Sequence, residues 1–134
     1  MIINLSSQQN KKIVLNEKGK MHFINLEQIS YICSNDYLLT IHSVNSTDRI
    51  TITGKLGEFE VKLKEFGFAK INRSCIVNLT AINTYNLIHQ KIVIENIELK
   101  VSRNCAKQLK ECLFALKQRT IHQAEVSINE LIEL

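Results

Sequence analysis

The sequence lacks the residues on which several protein classes depend. It has no proline, no tryptophan and only four glycines in 134 residues, which excludes collagen-like and Gly-rich low-complexity proteins. No Gly-x-Gly-x-x-Gly, P-loop or Gly-x-Ser-x-Gly string occurs, so the common nucleotide-binding and hydrolase motifs are absent. The longest apolar runs are a few residues, far short of the roughly 20 of a membrane-spanning helix. No basic stretch followed by a long apolar one opens the chain, so we expect a cytoplasmic protein without a signal peptide.

Cysteine and histidine are too scattered to form a recognisable site. The four cysteines include no Cys-x-x-Cys pair and have apolar neighbours, so we expect reduced, structural thiols. The four histidines have no partner at a metal-ligand spacing, which favours structural roles over metal binding or catalysis. The sequence therefore predicts no enzyme, no metal and no cofactor. These residues are Cys33, Cys75, Cys105, Cys112, His22, His42, His89 and His122.

Charge is distributed unevenly along the chain. The formal net charge is +4, but residues 1–119 carry a net +7 and residues 120–134 a net −3. A basic body with an acidic tail is compatible with a polyanionic partner such as nucleic acid. The signal is weak by itself, because many basic surfaces are only solvated.

Hydrophobic patterning predicts one α+β domain that is mainly β. The hydrophobic content of 45% and charged content of 22% are those of a soluble globular protein, and the length suits one domain. Alternating apolar residues bounded by turn-forming ones predict ten short strands. They cover residues 11–17, 20–25, 29–33, 38–43, 49–53, 68–71, 75–78, 82–87, 91–95 and 99–101, with turns at Lys18-Gly19 and His89-Gln90.

Two helices are expected beside the strands. Leu56, Phe59, Leu63 and Phe66 recur every three or four residues, which predicts an amphipathic helix over 55–66 that ends at Gly67. A second helix should begin at about residue 102, with Ser102 as its N-cap. Its apolar face would be formed by Cys105, Leu109, Cys112, Leu113 and Leu116.

The last residues allow two interpretations. We divide the chain into a domain over 1–119 and a helical tail over 120–134, where Ser127 and Glu130 match a capping box. If the second helix is continuous, its apolar stripe extends beyond the core and needs a cover, such as a second copy or an inhibitor protein. Alternatively, the tail folds back on its own domain after a break near Thr120. The stripe would comprise Leu113, Leu116, Thr120, Ala124, Ile128 and Leu131.

Three polar stretches are unusual for a plain β domain. They lie at residues 34–37, 70–74 and 101–104, and the last two each contain an arginine. Arginine pairs bidentately with guanine and asparagine with adenine, while Ser hydroxyls and helix N-termini take phosphate oxygens. Arg103 falls on the first turn of a helix, where a cation is disfavoured unless an external anion or base compensates. From composition alone, Arg73 and Arg103 are more often surface salt-bridge partners, and Asn35 and Asn72 more often turn residues.

A family resemblance changes this balance. Over residues 11–113 the chain resembles the LytTR DNA-binding family, in the order and the spacing of its motifs. The most specific is Phe-Ala-Lys-Ile-Asn-Arg-Ser-Cys-Ile-Val-Asn at 68–78, which follows the family string Phe-x-Arg-Ile-His-Arg-Ser-x-Ile-Val-Asn. The others are Ser-Tyr-Ile-Cys at 30–33, Asn-Asp-Tyr at 35–37, Thr-Ile-His at 40–42, the Leu-rich helix at 56–66 and Val-Ser-Arg at 101–103.

The resemblance implies a fold and a binding surface. About ten short, mostly antiparallel strands should form small stacked sheets. Three loops should enter successive major grooves of duplex DNA, which implies sequence-specific binding and transcription regulation in a bacterial, response-regulator-like protein. The implied DNA-binding residues are Asn35, Asp36, Tyr37, Lys70, Asn72, Arg73, Ser74, Ser102, Arg103, Asn104 and Lys107.

Departures from the family pattern keep an alternative open. Lys70 replaces the family's arginine and loses its forked geometry, Asn72 replaces its histidine, and Cys33 replaces an acid. The alternative is a protein–protein interaction module that has lost DNA binding. Family members usually carry a receiver domain, so the candidate partners besides DNA are a receiver domain, a membrane-bound inhibitor and a second copy of the chain.

Overall fold

The computed structural model describes residues 2–4 and 11–116. Within them the chain forms eleven strands and two α-helices, which confirms the predicted mainly β, α+β architecture. The strands are β1 Ile2–Asn4, β2 Lys11–Glu17, β3 Lys20–Asn25, β4 Ile29–Asn35, β5 Leu38–Ser43, β6 Arg49–Thr53, β7 Phe68–Asn72, β8 Cys75–Asn78, β9 Thr84–Asn86, β10 Lys91–Ile94 and β11 Ile97–Lys100. The helices are α1 Leu56–Leu63 and α2 over residues 103–116.

The strands form three small antiparallel sheets. The central sheet has five strands in the order β6-β5-β4-β8-β7, and two three-stranded sheets have the orders β1-β2-β3 and β11-β10-β9. All pairings between these strands are antiparallel. Because β4 and β8 are neighbours although far apart in sequence, the loops that follow β4 and precede β8 lie at the same edge of the sheet.

The central sheet is buried on both faces. Along β4 and β8, Ile32 and Ile76 enter a cluster with α1 and β2, whereas Tyr31 and Val77 enter a second cluster with β10 and α2. This separation follows from the period-two alternation of side chains along a strand. Two apolar clusters therefore hold the smaller sheets and the helices against opposite faces.

Helix α1 lies where its apolar spacing predicts it, with a tighter end. The α-helical part stops at Leu63, and Lys64–Phe66 form a 3-10 turn. Gly67 follows with φ 85°, the left-handed conformation that glycine adopts at a helix C-terminus without a Cβ penalty. The segment 55–66, which was predicted as one helix, therefore contains an α-helix followed by a 3-10 turn.

Four details of the strand and turn prediction were wrong. Strand β1 was not expected, and β9 is shorter than the predicted 82–87 because Leu79–Ala81 form a 3-10 turn before it. The turn after β9 spans four residues, 87–90, instead of two. Strand β11 begins earlier than predicted, since Glu95 and Asn96, with φ 48° and 68°, make the tight two-residue turn that hairpins favour. The turn at Glu95 and Asn96 contains neither glycine nor proline, so the sequence gave little indication of a hairpin there.

Helix α2 begins directly after Ser102. The Ala106 N–H donates to the Ser102 carbonyl at 3.0 Å, which gives Ser102 the predicted N-cap position. Leu109 is fully buried, and Cys112, Leu113 and Leu116 pack against the same cluster. The predicted tail over 120–134 and its capping box lie outside the described residues. Among the described residues, no helix combines the length and apolarity of a membrane span.

Candidate nucleic-acid interface

The turn between β7 and β8 is built around Asn72. Arg73 and Ser74 form a two-residue connection between the paired residues Asn72 and Cys75. The Asn72 Oδ1 accepts the Ser74 N–H at 2.8 Å, and its Nδ2 donates to the Lys100 carbonyl at 2.7 Å. Both ends of the Asn72 amide are therefore engaged within the protein, which makes it a residue that shapes the turn.

The start of α2 is fixed to the same turn. The register of β7 and β8 shifts between Lys70 and Asn72, and such bulges redirect side chains near functional sites. The carbonyl of Ile71, within this bulge, accepts the Ser102 N–H at 2.8 Å. The bulge thus holds the first turn of α2, which includes Arg103, next to the end of β7.

The loop between β4 and β5 lies at the same sheet edge. The Ser34 N–H donates to the Ser74 carbonyl at 2.8 Å, which places the end of β4 beside the β7–β8 turn. Asp36 has φ 57°, a conformation that Asp and Asn tolerate best among residues with a Cβ. Tyr37 is 70% exposed, so it is not packed as a strand residue. The fold therefore brings all three predicted polar segments together.

A cleft between the turn and α2 concentrates positive charge. Its volume is about 420 Å³, and three of its lining residues are cationic. Six of the predicted site residues line it, and Lys100 and Cys105 complete it. The lining residues are Lys70, Asn72, Arg73, Ser74, Lys100, Ser102, Asn104 and Cys105.

Lys100 was missed at the sequence level. It directly precedes the Val-Ser-Arg motif at 101–103, and the only available signal was a cation next to a motif that was predicted to contact DNA. The structure adds it to the cleft and uses its carbonyl to hold Asn72.

The remaining predicted residues surround the cleft without lining it. Arg103 and Lys107 are exposed and lie four residues apart on α2, hence on one helix face. Asn35, Asp36 and Tyr37 are exposed on the neighbouring loop. This arrangement is a surface with three projecting segments, which suits a large partner better than a small ligand.

The arginines do not form the salt bridges that composition favoured. Among the described residues two ion pairs occur, His22–Glu17 and Lys91–Glu98, and neither involves Arg73 or Arg103. The same part of the chain contains no group of three His, Cys, Asp or Glu side chains that could hold a metal ion. The charge of this surface is therefore not neutralised by described acidic residues in ion-pair contact.

Comparisons with known proteins place the chain in one family. The family model of the LytTr DNA-binding domain matches residues 19–114 of the sequence. Sensory transduction protein LytR of Staphylococcus saprophyticus is 24% identical over 114 residues, which are 82% of this chain and 44% of that protein. A solved LytTr DNA-binding domain from Bacillus cereus has a TM-score of 0.63 at 22% identity, covering 76% of this chain and 95% of that one. At this identity the solved structure establishes the shared fold.

Proposed function

The chain belongs to the LytTr DNA-binding domain family, and we propose that it regulates transcription by reading duplex DNA sequence-specifically through the three segments described above. The observation that carries this proposal is their convergence on one sheet edge around a cationic cleft. Convergence matters because base reading needs several side chains in a fixed relative geometry. The three segments are proposed to enter successive major grooves.

The residues at this edge are assigned different roles. Arg73 and Arg103 are exposed and without a described ion-pair partner, so they are the proposed base readers, each able to form a bidentate pair with guanine. Lys70, Lys100 and Lys107 supply point charges for phosphates. Ser74, Ser102 and Asn104 offer further phosphate contacts near the start of α2, where the helix dipole favours anions.

The β4–β5 loop is proposed to make the third contact. Asn35 can form hydrogen bonds to a base edge, and the ring of exposed Tyr37 can pack against the sugar–phosphate backbone. Asp36 is proposed to accept from a cytosine amino group or to shape the loop through its positive φ. Asn72, by contrast, acts on DNA through the turn that its amide holds.

We also propose partners other than DNA, because the chain matches less than half of its LytR relative. The chain spans 44% of the length of the LytR relative, and we propose that it works with a receiver domain, with a second copy of itself or with a membrane-bound inhibitor. We also propose that it acts in the cytoplasm, where DNA is available. No observation favours an interaction module that has lost DNA binding.

Selection of bound sequences from random duplexes, followed by fluorescence anisotropy, tests the proposal. We expect binding to a selected site that weakens steeply between about 50 and 200 mM salt, because each neutralised phosphate releases counterions. The selected site should bind at least about 10³-fold more tightly than random duplex. Folded protein that binds no duplex at low salt would refute DNA binding, and equal affinity for every duplex would refute base reading.

A further inference from the structure

Two cysteines face each other on the central sheet. Cys33 in β4 is directly opposite Cys75 in β8, and their Sγ atoms are 3.6 Å apart. Both side chains lie on the sheet face that packs against α2. Two thiols in contact form a potential reaction centre that the DNA-binding function does not use.

The strand geometry permits a bond between them. The neighbouring residues Ser34 and Ser74 share a backbone hydrogen bond of 2.8 Å, so Cys33 and Cys75 occupy the adjacent non-hydrogen-bonded position of the ladder. At such positions Cα atoms are about 4.5 Å apart, which is inside the roughly 4.4–6.8 Å that disulfides span. A disulfide therefore requires side-chain rotation more than strand movement.

The surroundings give the two thiols different reactivities. Cys33 is half-buried, whereas Cys75 is only 3% exposed. The hydrogen bond with Cys75 lowers the pKa of Cys33, against the opposing effect of burial, because the Cys75 thiol can donate to a Cys33 thiolate. The same hydrogen bond, together with burial, raises the pKa of Cys75. Because peroxide reaches the half-buried Cys33 more easily than the buried Cys75, and the thiolate is the reactive form, Cys33 is assigned as the attacking thiol and Cys75 as the resolving one.

We propose that Cys33 and Cys75 form a peroxide-responsive dithiol site that closes reversibly to a disulfide. The Cys33 thiolate attacks one oxygen of hydrogen peroxide, the O–O bond breaks, and the departing hydroxide takes up a proton to become water. The Cys75 sulfur then attacks the Cys33 sulfenic acid and loses its proton, the S–O bond breaks, and a second water leaves. The two cysteines lose two electrons in total, and peroxide gains them.

The proposed disulfide chemistry does not require DNA, but the two cysteines adjoin the proposed DNA-binding surface. Cys33 lies two residues before Asn35, and Cys75 directly follows Ser74. The disulfide would link the strands that lead into two of the three proposed DNA-contacting segments. Intracellular disulfides of this kind are usually transient and redox-sensing, which is compatible with a reduced resting state.

Peroxide treatment of the reduced 134-residue chain tests the site. After removal of excess peroxide, free thiols are alkylated with N-ethylmaleimide, and the protein is digested without reductant for mass spectrometry. We expect two of the four thiols to disappear, a peptide that joins Cys33 to Cys75, and full recovery with dithiothreitol. A disulfide between other cysteines, or oxidation of Cys33 that does not proceed to a bond with Cys75, would overturn the proposal.

Single substitutions separate the two roles. Cys75→Ser should leave Cys33 as a sulfenic acid that dimedone traps, whereas the wild-type protein should give little adduct. Cys33→Ser should slow the oxidation of Cys75 at least ten-fold, and Cys112→Ser, the control, should form the disulfide at the wild-type rate. Equal oxidation of Cys75 with and without Cys33 would overturn the proposal. Circular dichroism verifies folding, and the wild-type cross-link decides the case if a variant unfolds.

Discussion

At the scale of single residues, two asparagines of the β7–β8 hairpin hold different parts of the fold. Asn72 ties the exposed turn to β11, whereas Asn78 is 5% exposed and works inside the core. The Asn78 Nδ2 donates to the Ile29 carbonyl at 2.9 Å, and its Oδ1 accepts from the N–H and hydroxyl of Thr80. The motif at 68–78 therefore combines a surface-forming residue with a core-forming one.

Replacing Asn78 with alanine should destabilise the protein by about 1–3 kcal/mol. The substitution leaves the buried Ile29 carbonyl without this donor and removes the cap of a 3-10 turn, and unsatisfied buried polar groups cost free energy on this order. Chemical denaturation measures the free energy of unfolding. Thr80→Val, which removes one bond at an exposed residue, should cost less, and an equal loss would contradict the assigned role of Asn78.

Replacing Arg73 or Arg103 with alanine should weaken binding to the selected DNA site by about 1–3 kcal/mol. The effect on random duplex should be smaller, because the loss of a base contact adds to the loss of charge. Arg49→Ala is the control, because it removes the same charge from an exposed residue. Arg49 begins β6 and pairs with His42, at the end of β5 that is remote from the β4–β5 loop, so its replacement should change affinity little. Equal losses on both duplexes would identify phosphate contacts instead.

At the scale of elements, two glycines affect helix α1 and its end, and one carboxylate connects the first sheet to the central sheet. Gly67 ends the helical segment with φ 85°, whereas Gly57 lies inside α1. Glu17, at the end of β2, accepts the Thr51 N–H of β6 at 2.9 Å and contacts His22 at 3.1 Å. The first sheet is thus tied to the central one by a charged group.

The two glycines should respond oppositely to alanine. Gly67→Ala should destabilise the protein by about 1–2 kcal/mol, because a Cβ is strained in the left-handed region. Gly57→Ala should stabilise it by about 0.5–1 kcal/mol, since alanine loses less entropy in a helix. A Cβ added at either position meets no atom within 4 Å, so backbone conformation alone distinguishes them. Thermal melts of both variants measure the difference, and a shift of the same sign would contradict this account.

The Glu17 tie should depend on pH. The Thr51 N–H, and then His22, hold the pKa of the Glu17 carboxyl below its usual value of 4.5. A lowered pKa contributes stability above the usual value, and this contribution is lost as the pH falls through the folded-state pKa. Glu17→Gln should therefore be less stable than wild type near neutral pH, with the difference shrinking below about pH 4. Denaturation across this range measures it, and a difference that does not change with pH would exclude the carboxylate charge as the cause.

At the scale of the whole molecule, charge separation along the chain bears on DNA affinity. Residues 1–119 carry a net +7 and residues 120–134 a net −3. The cationic cleft belongs to the basic part. Negative charge on the same molecule reduces the attraction between this part and DNA, by an amount that salt screens.

Deleting residues 120–134 should tighten binding to any duplex at low salt. The gain should shrink at higher salt, because the Debye length falls from about 10 Å at 0.1 M to about 3 Å at 1 M. Anisotropy titrations of both chain lengths at several salt concentrations provide the measurement, and sedimentation shows whether the deletion also changes the oligomeric state. Weaker binding by a shortened chain that stays monomeric would argue for a direct contribution of the tail to binding.

The sequence alone determined most of the secondary structure, the family and most of the residues proposed for the interface. Period-two alternation predicted ten of the eleven described strands, and the spacing of Leu56 and its partners predicted α1. These signals are readable because they depend on neighbours within a few residues. The string at 68–78 and the Val-Ser-Arg motif indicated where the proposed DNA-contacting segments lie.

Only the tertiary structure decided how those segments are arranged relative to one another. Asn72 bonds to a carbonyl 28 residues away, which occupies its amide, and the same contact brings Lys100 to the cleft. Cys33 meets Cys75 across 42 residues of sequence. Such contacts depend on strand order, on register and on a bulge, and a shift of one residue in register would turn each side chain to the other face. No local pattern encodes that choice, because it is set by the simultaneous burial of both faces of the central sheet.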